Sequence, residues 1–85
     1  MAKYRIEVKV SAEKELRKIP KQYLTKIIEE IARLADNPFP HNSIKLSVQD
    51  KYRLRVGKYR ILYSVQKRLL TVFVVKIAHR KSAYK

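Results

Sequence analysis

The stretch Tyr52-Arg-Leu-Arg-Val-Gly-Lys-Tyr-Arg-Ile-Leu-Tyr63 alternates arginine with apolar residues at a spacing of two. A strand turns successive side chains to opposite faces, so the pattern predicts strands with arginines on one face and a core on the other. Gly57-Lys58 reads as a two-residue hairpin turn with glycine at its first central position. That turn pairs Val56 with Tyr59, Arg55 with Arg60, Leu54 with Ile61 and Arg53 with Leu62, and directly opposed residues share a face. Arg55 and Arg60 then stand side by side, at a cost of a few tenths to about 1 kcal/mol that an anionic ligand would remove. A three-residue loop would break this pairing. A solvated strand face is the plainer reading of Arg53, Arg55 and Arg60; a surface for phosphates is the functional one. Tyr52, Leu54, Val56, Tyr59, Ile61 and Tyr63 form the apolar stripe of the core side.

Before this hairpin, Tyr4 to Val10 sets Tyr4, Ile6, Val8 and Val10 against Arg5, Glu7 and Lys9, the alternation of a half-buried strand. Ser11 is the expected N-cap of a short helix running to about Lys18, with Glu13 and Glu15 in a first turn where the helix dipole favours acids. Pro20 is expected at the first position of a second helix. Leu24, Ile27, Ile28, Ile31 and Leu34/Ala35 give that helix its apolar stripe, and Asp36-Asn37-Pro38 ends it. Phe39 to Ser43 is a loop, and Ile44 to Val48 is either a short edge strand or irregular. Strands follow at Tyr52 to Val56, Tyr59 to Gln66 and Leu69 to Ile77. The last is apolar on both faces and so belongs inside the sheet, with Phe73, Val75 and Ile77 or their alternates needing cover from this chain or a partner. The order predicts an α+β fold: an N-terminal strand, a two-helix hairpin, then antiparallel strands in one twisted sheet, with the helices on one side.

Composition narrows the partners. Twenty-one Lys and Arg against seven Asp and Glu give a net charge of +14 on 85 residues, the footprint of a protein that binds nucleic acid or another polyanion. Residues 1–85 read as one domain, with an acidic partner expected to relieve the self-repulsion. No run of about 18 apolar residues is present, so no membrane contact is expected and the chain reads as soluble and cytoplasmic. The absence of cysteine excludes disulfides and thiolate metal sites, and two histidines without acidic neighbours at ligand spacing argue against a metal. No cofactor is implied.

Lys45-Leu46, the Tyr52–Tyr63 stretch and the closing His79-Arg80 with Tyr84 resemble the RelE branch of the RelE/ParE toxin superfamily, and the likeness runs over the whole chain. The resemblance implies a compact microbial ribonuclease-like α+β domain and the toxin of a type II toxin-antitoxin system. It implies cleavage of mRNA in the ribosomal A site, and an acidic, RelB-like antitoxin that holds the toxin inactive in a hetero-oligomer. By the same resemblance Arg53, Arg55, Arg60, Arg80 and Tyr84 are the catalytic candidates, with Lys45 a common basic position. Lys45, Lys51, Lys58, His79 and Lys81 make up the candidate RNA- or ribosome-binding set. Some relatives carry lysines where Arg53 and Arg55 stand, and one branch uses a glutamate and histidine pair whose glutamate has no match here. A gyrase-binding toxin of the ParE type and a non-catalytic basic nucleic-acid-binding module are the alternatives.

Residue chemistry bears on the reaction. Metal-free RNA cleavage uses the 2′-hydroxyl as nucleophile on its own 3′-phosphate, so the enzyme must align the attack, bear charge on the phosphorane and protonate the leaving 5′-oxygen. Arg60 and Arg80 suit the second task, since a guanidinium offers phosphate oxygens a fixed fork of donors. Arg53 and Arg55 suit orientation of the backbone. Tyr84 is a stacking platform for a splayed base, or a base if the arginines make it acidic enough. His79 is the side chain of a type suited to proton transfer beside this motif, or else a packed strand-end histidine. His41, in the proline loop, reads as structural.

Overall fold

The structure is a computed structural model and describes residues 3–47 and 50–79. Strand β1 (Arg5–Val8) leads into helices α1 (Val10–Lys18) and α2 (Lys21–Arg33). Strands β2 (Ser43–Lys45), β3 (Lys51–Val56), β4 (Tyr59–Gln66) and β5 (Thr71–His79) follow. The five strands form one mixed sheet in the order β1-β5-β4-β3-β2. β1 runs parallel to β5, and the remaining neighbours are antiparallel. α1 packs against β5 and α2 against β3.

The β3–β4 register is the one that the alternation predicts: Val56 opposes Tyr59, Arg55 opposes Arg60, Leu54 opposes Ile61 and Arg53 opposes Leu62. Gly57 turns the hairpin at φ +57°, while Lys58 keeps a negative φ, the pattern of a turn needing glycine at its first central position. One face of the hairpin enters the core, where Leu54, Ile61 and Tyr63 meet Ile27, Ile31 and Leu34 of the α2 segment and Val72, Val74 and Ile77 of β5. A fully buried aliphatic side chain of this size contributes roughly 1.5–3 kcal/mol. Tyr63 is fully buried in this core, stacked on Tyr52 with centroids 5.6 Å apart, and its hydroxyl donates to the Pro38 carbonyl at 2.7 Å. Burial pushes the Tyr63 hydroxyl above its ordinary pKa of 10.0; a hydrogen bond with Ser43 opposes the shift and Tyr52 adds to it.

Several element ends differ from expectation. α1 starts at Val10 with Lys9 as N-cap, not at Ser11. The Lys9 amide is still bound to Val74 of β5 at 2.9 Å, and its carbonyl accepts from Glu13 at 2.9 Å, so strand hands over to helix at one residue. Pro20 is the N-cap of α2 instead of its first residue, its carbonyl accepting from Tyr23 and Leu24. In the predicted stripe Ile27, Ile31 and Leu34 are buried, whereas Ile28 is half exposed at 50%. The segment after the loop forms the edge strand β2, which begins at Ser43 and ends at Lys45, while Val48 of the expected span lies outside the described residues. β5 begins at Thr71 and not Leu69, because Leu70 takes φ +48° in the β4–β5 turn, outside extended geometry.

The doubly apolar β5 is an interior strand, and its two faces are separated by a bulge. Leu62 opposes Lys76 but Tyr63 opposes Val74, so Val75 is the extra residue. Ile77 and Val74 therefore point to the core together, and Phe73 lies on the opposite face. Phe73, Val75 and Ile77 do not share one side, as an unbroken strand would require.

Candidate functional site

Alternation in β3 and β4 sends Lys51, Arg53, Arg55 and Arg60 to the face away from the helices. Three of the four occupy a common region: Arg53, Arg55 and Arg60 line one shallow cavity together with His41, Asn42 and Ile44. Arg60 is 7% exposed, while Arg55 directly opposite is open to solvent. A solvated strand face would leave both exposed, and Arg60 is set into the sheet surface instead. None of the seven acidic residues belongs to β3, β4 or β5. On the helices, Arg17 binds Glu13 at 2.9 Å, and Lys26 and Arg33 bind Glu30 at 3.5 and 3.3 Å. Three guanidinium groups bordering one cavity are of the type that offers forks of donors to phosphate oxygens.

His41 and Asn42 reach this cavity through a tightly tied turn. The Pro40 carbonyl accepts both the Ser43 amide at 2.9 Å and the Ser43 hydroxyl at 2.7 Å. Asn42 extends the β2–β3 pairing by one step: its carbonyl accepts from the Arg55 amide at 3.2 Å, and its side-chain amide donates to the Arg55 carbonyl at 3.0 Å. The same amide reaches Glu30 at 3.5 Å. Pairing of Ile44 with Arg53 sets Ile44 on the arginine side. A second groove shares His41, Asn42 and Arg55 and continues towards Lys26 and Arg33 of α2.

The predicted residues divide. Arg53, Arg55 and Arg60 converge, Lys51 joins their face opposite Ser64, and Lys58 is exposed in the hairpin turn. Lys45 does not join them. It opposes Tyr52 on the helix side and lines a separate cavity with Asp50, Lys67 and Arg68. His79 also lies across the sheet: it opposes Tyr59, with its ring edge-on to the tyrosine at 5.2 Å, near Glu15 and Lys18 of α1. Its chain position beside Arg80 suggested otherwise, but β5 parity sets it with Ile77 on the core side. Arg80, Lys81 and Tyr84 lie outside the described residues. The histidine by the arginines is His41, which reads as structural in the sequence; the β2–β3 pairing carried back to Asn42 is the signal that could have found it. Among the described residues no three His, Cys, Asp or Glu side chains gather as a metal site would require, and no helix is long and apolar enough to cross a membrane.

Comparison with known proteins gives a consistent result. The family described as "ParE toxin of type II toxin-antitoxin system, parDE" matches residues 6–84. The Methanocaldococcus jannaschii protein named "Putative toxin RelE1" is 33% identical, over 98% of this chain and 97% of its own. A chain of the archaeal RelE-RelB complex from Pyrococcus horikoshii OT3 superposes with a TM-score of 0.84 at 30% identity, covering 92% of this chain and 96% of that one. A chain of the Mycobacterium tuberculosis toxin-antitoxin complex RelBE2 superposes at 0.80 with 25% identity, covering 91% and 98%.

Proposed function

This chain belongs to the RelE/ParE toxin family of type II toxin-antitoxin systems, and from that premise we propose that it is a ribosome-dependent, metal-free endoribonuclease that cuts mRNA in the A site. The observation that carries the reading is the convergence of Arg53, Arg55 and Arg60 on one cavity, from strands β3 and β4 that hold no acid. Arg60, held in place by burial, bears the charge of the phosphorane. Arg53 and Arg55 orient the backbone, and Arg80 and Tyr84 complete the set as a second charge-bearing group and a stacking platform. Lys51 and Lys58 extend the basic surface to flanking phosphates. The products are a 2′,3′-cyclic phosphate and a 5′-hydroxyl. Ribosome dependence fits a site rich in cations and poor in acid-base groups, because imposed in-line geometry alone supplies several kcal/mol.

The protein partner in this reading is an antitoxin of the RelB type. Relatives of this fold are found in complexes with RelB, and a surplus of fourteen positive charges suits an acidic partner. Mapping 5′ ends of one mRNA, free and on ribosomes with an empty A site, tests the reading: cuts confined to the A-site codon of the ribosome-bound sample are expected. The ParE description of the matching family favours a second reading, poisoning of DNA gyrase. Absence of cuts together with inhibition of gyrase supercoiling would establish it.

A further inference from the structure

Three guanidinium groups can hold a phosphate and bear charge, but a guanidinium offers only donors and no acceptor for a proton. Proton transfer needs another residue, and the cavity they line contains one of the right type. Resting on the ribonuclease reading above, we propose that His41 is the general base of the cleavage. Its imidazole takes the 2′-hydroxyl proton as that oxygen bonds to the neighbouring phosphorus. The P–O5′ bond breaks, the departing oxygen takes a proton from water, and His41 returns its own to the hydroxide that remains. No oxidant, reductant or metal enters.

Geometry carries the assignment. His41 lines the same cavity as Arg53, Arg55 and Arg60. The residues around it are fixed: Pro40 by two hydrogen bonds from Ser43, and Asn42 by two bonds with the Arg55 backbone and one to Glu30. The imidazole at the tip of this turn is exposed, where RNA can reach it. Its position is thus held by backbone pairing while its side chain is left for the ligand, as an acid-base group requires. The charged groups facing it are Arg53 and Arg55 from β3, Arg60 from β4, and Lys26, Glu30 and Arg33 from α2. Glu30 is itself engaged by Lys26 and Arg33. The other histidine, His79, is on the far side of the sheet.

Single-turnover cleavage of ribosome-bound mRNA, compared for the unmodified protein and His41→Gln, tests this. The variant is expected to cut about 10²- to 10⁴-fold more slowly, with unchanged ribosome affinity and an unchanged thermal melt. The pH dependence of the rate is expected to differ between the two proteins, and added imidazole to restore part of the variant's rate. Equal cleavage by the two proteins would overturn the base assignment and leave the ribonuclease reading standing. A slow variant with the same pH profile and no rescue by imidazole would make His41 a positioning residue and also overturn it. Failure of the unmodified protein to cut ribosome-bound mRNA would bring down both.

Discussion

One strand, β4, shows how differently the two sides of this sheet are built. Its inward residues Ile61, Tyr63 and Val65 are buried beneath the helices, and even the Tyr63 hydroxyl has a backbone partner. Its outward residues begin with Arg60, set opposite a second arginine and next to a cavity that three guanidiniums share. The covered side follows the rules of stability: apolar matter removed from water and polar atoms paired. The other side sets two arginines directly opposite each other, a pairing that costs a few tenths to about 1 kcal/mol. The two histidines fall on opposite sides of this division, and their neighbours differ accordingly: an aromatic ring for His79, guanidinium groups for His41.

Core truncation should separate the faces most strongly. Ile61→Ala, emptying a fully buried site, is expected to cost about 2–5 kcal/mol in urea denaturation, and Leu62→Ala, half-buried next door, clearly less. Equal losses would show that both sides are packed alike. Tyr63→Phe leaves the Pro38 carbonyl without its donor and is expected to cost about 1–3 kcal/mol. The raised pKa of Tyr63 has a further signature. The folded state keeps this proton more firmly than the unfolded chain, so the contribution is complete below about pH 10 and is lost as pH rises through the higher folded value. Urea melts of both proteins from neutral to strongly alkaline pH should therefore converge at the alkaline end, the lysine titrations being common to both. A constant gap would refute the assignment.

Smaller effects test the histidines and the arginine pair. His79→Ala removes the edge-on contact with Tyr59, expected to cost about 0.5–1.5 kcal/mol. His41→Ala, on an exposed turn, should stay within about 0.5 kcal/mol. A thermal-melt ranking in the reverse order would move the packed histidine to the other face. Arg55→Thr takes away the like charge beside Arg60 and is expected to gain a few tenths to about 1 kcal/mol. The same change should weaken binding of a short RNA and flatten its salt dependence. If stability falls instead, the pair is not a liability in the empty protein.

The hairpin register could be read from sequence because two signals agreed: a glycine fixing the turn, and an alternation that a one-residue slip would turn inside out. Parity gives the face but not the depth, so the burial of Arg60 could not be read. Nor could the bulge at Val75, since a strand apolar on both sides carries no alternation to interrupt. The starts of α1 and β5 depend on the Lys9–Val74 bond and on the left-handed Leu70, neither of which has a local pattern. His41 was hidden for a related reason. Loop residues have no period, and its location follows from the pairing of β2 with β3, which the sequence left open between a strand and irregular chain. His79 shows the converse error, in which nearness along the chain is taken for nearness in space.

The parallel pairing of β1 with β5 has a consequence for how the molecule comes into being. Residues 5–8 find their partners only at residues 71–74, and α1 rests on the same late strand. During synthesis the first strand and the helix after it wait, unpaired, until the final strand is made, and closure of so distant a contact comes late in folding. The arginine hairpin needs only local pairing and can form sooner. A chain stopped short of β5 would carry the basic surface while its first strand lacked the only strand it pairs with among the described residues, and the Lys3 and Tyr4 amides on the Ala35 carbonyl would be left to tether it.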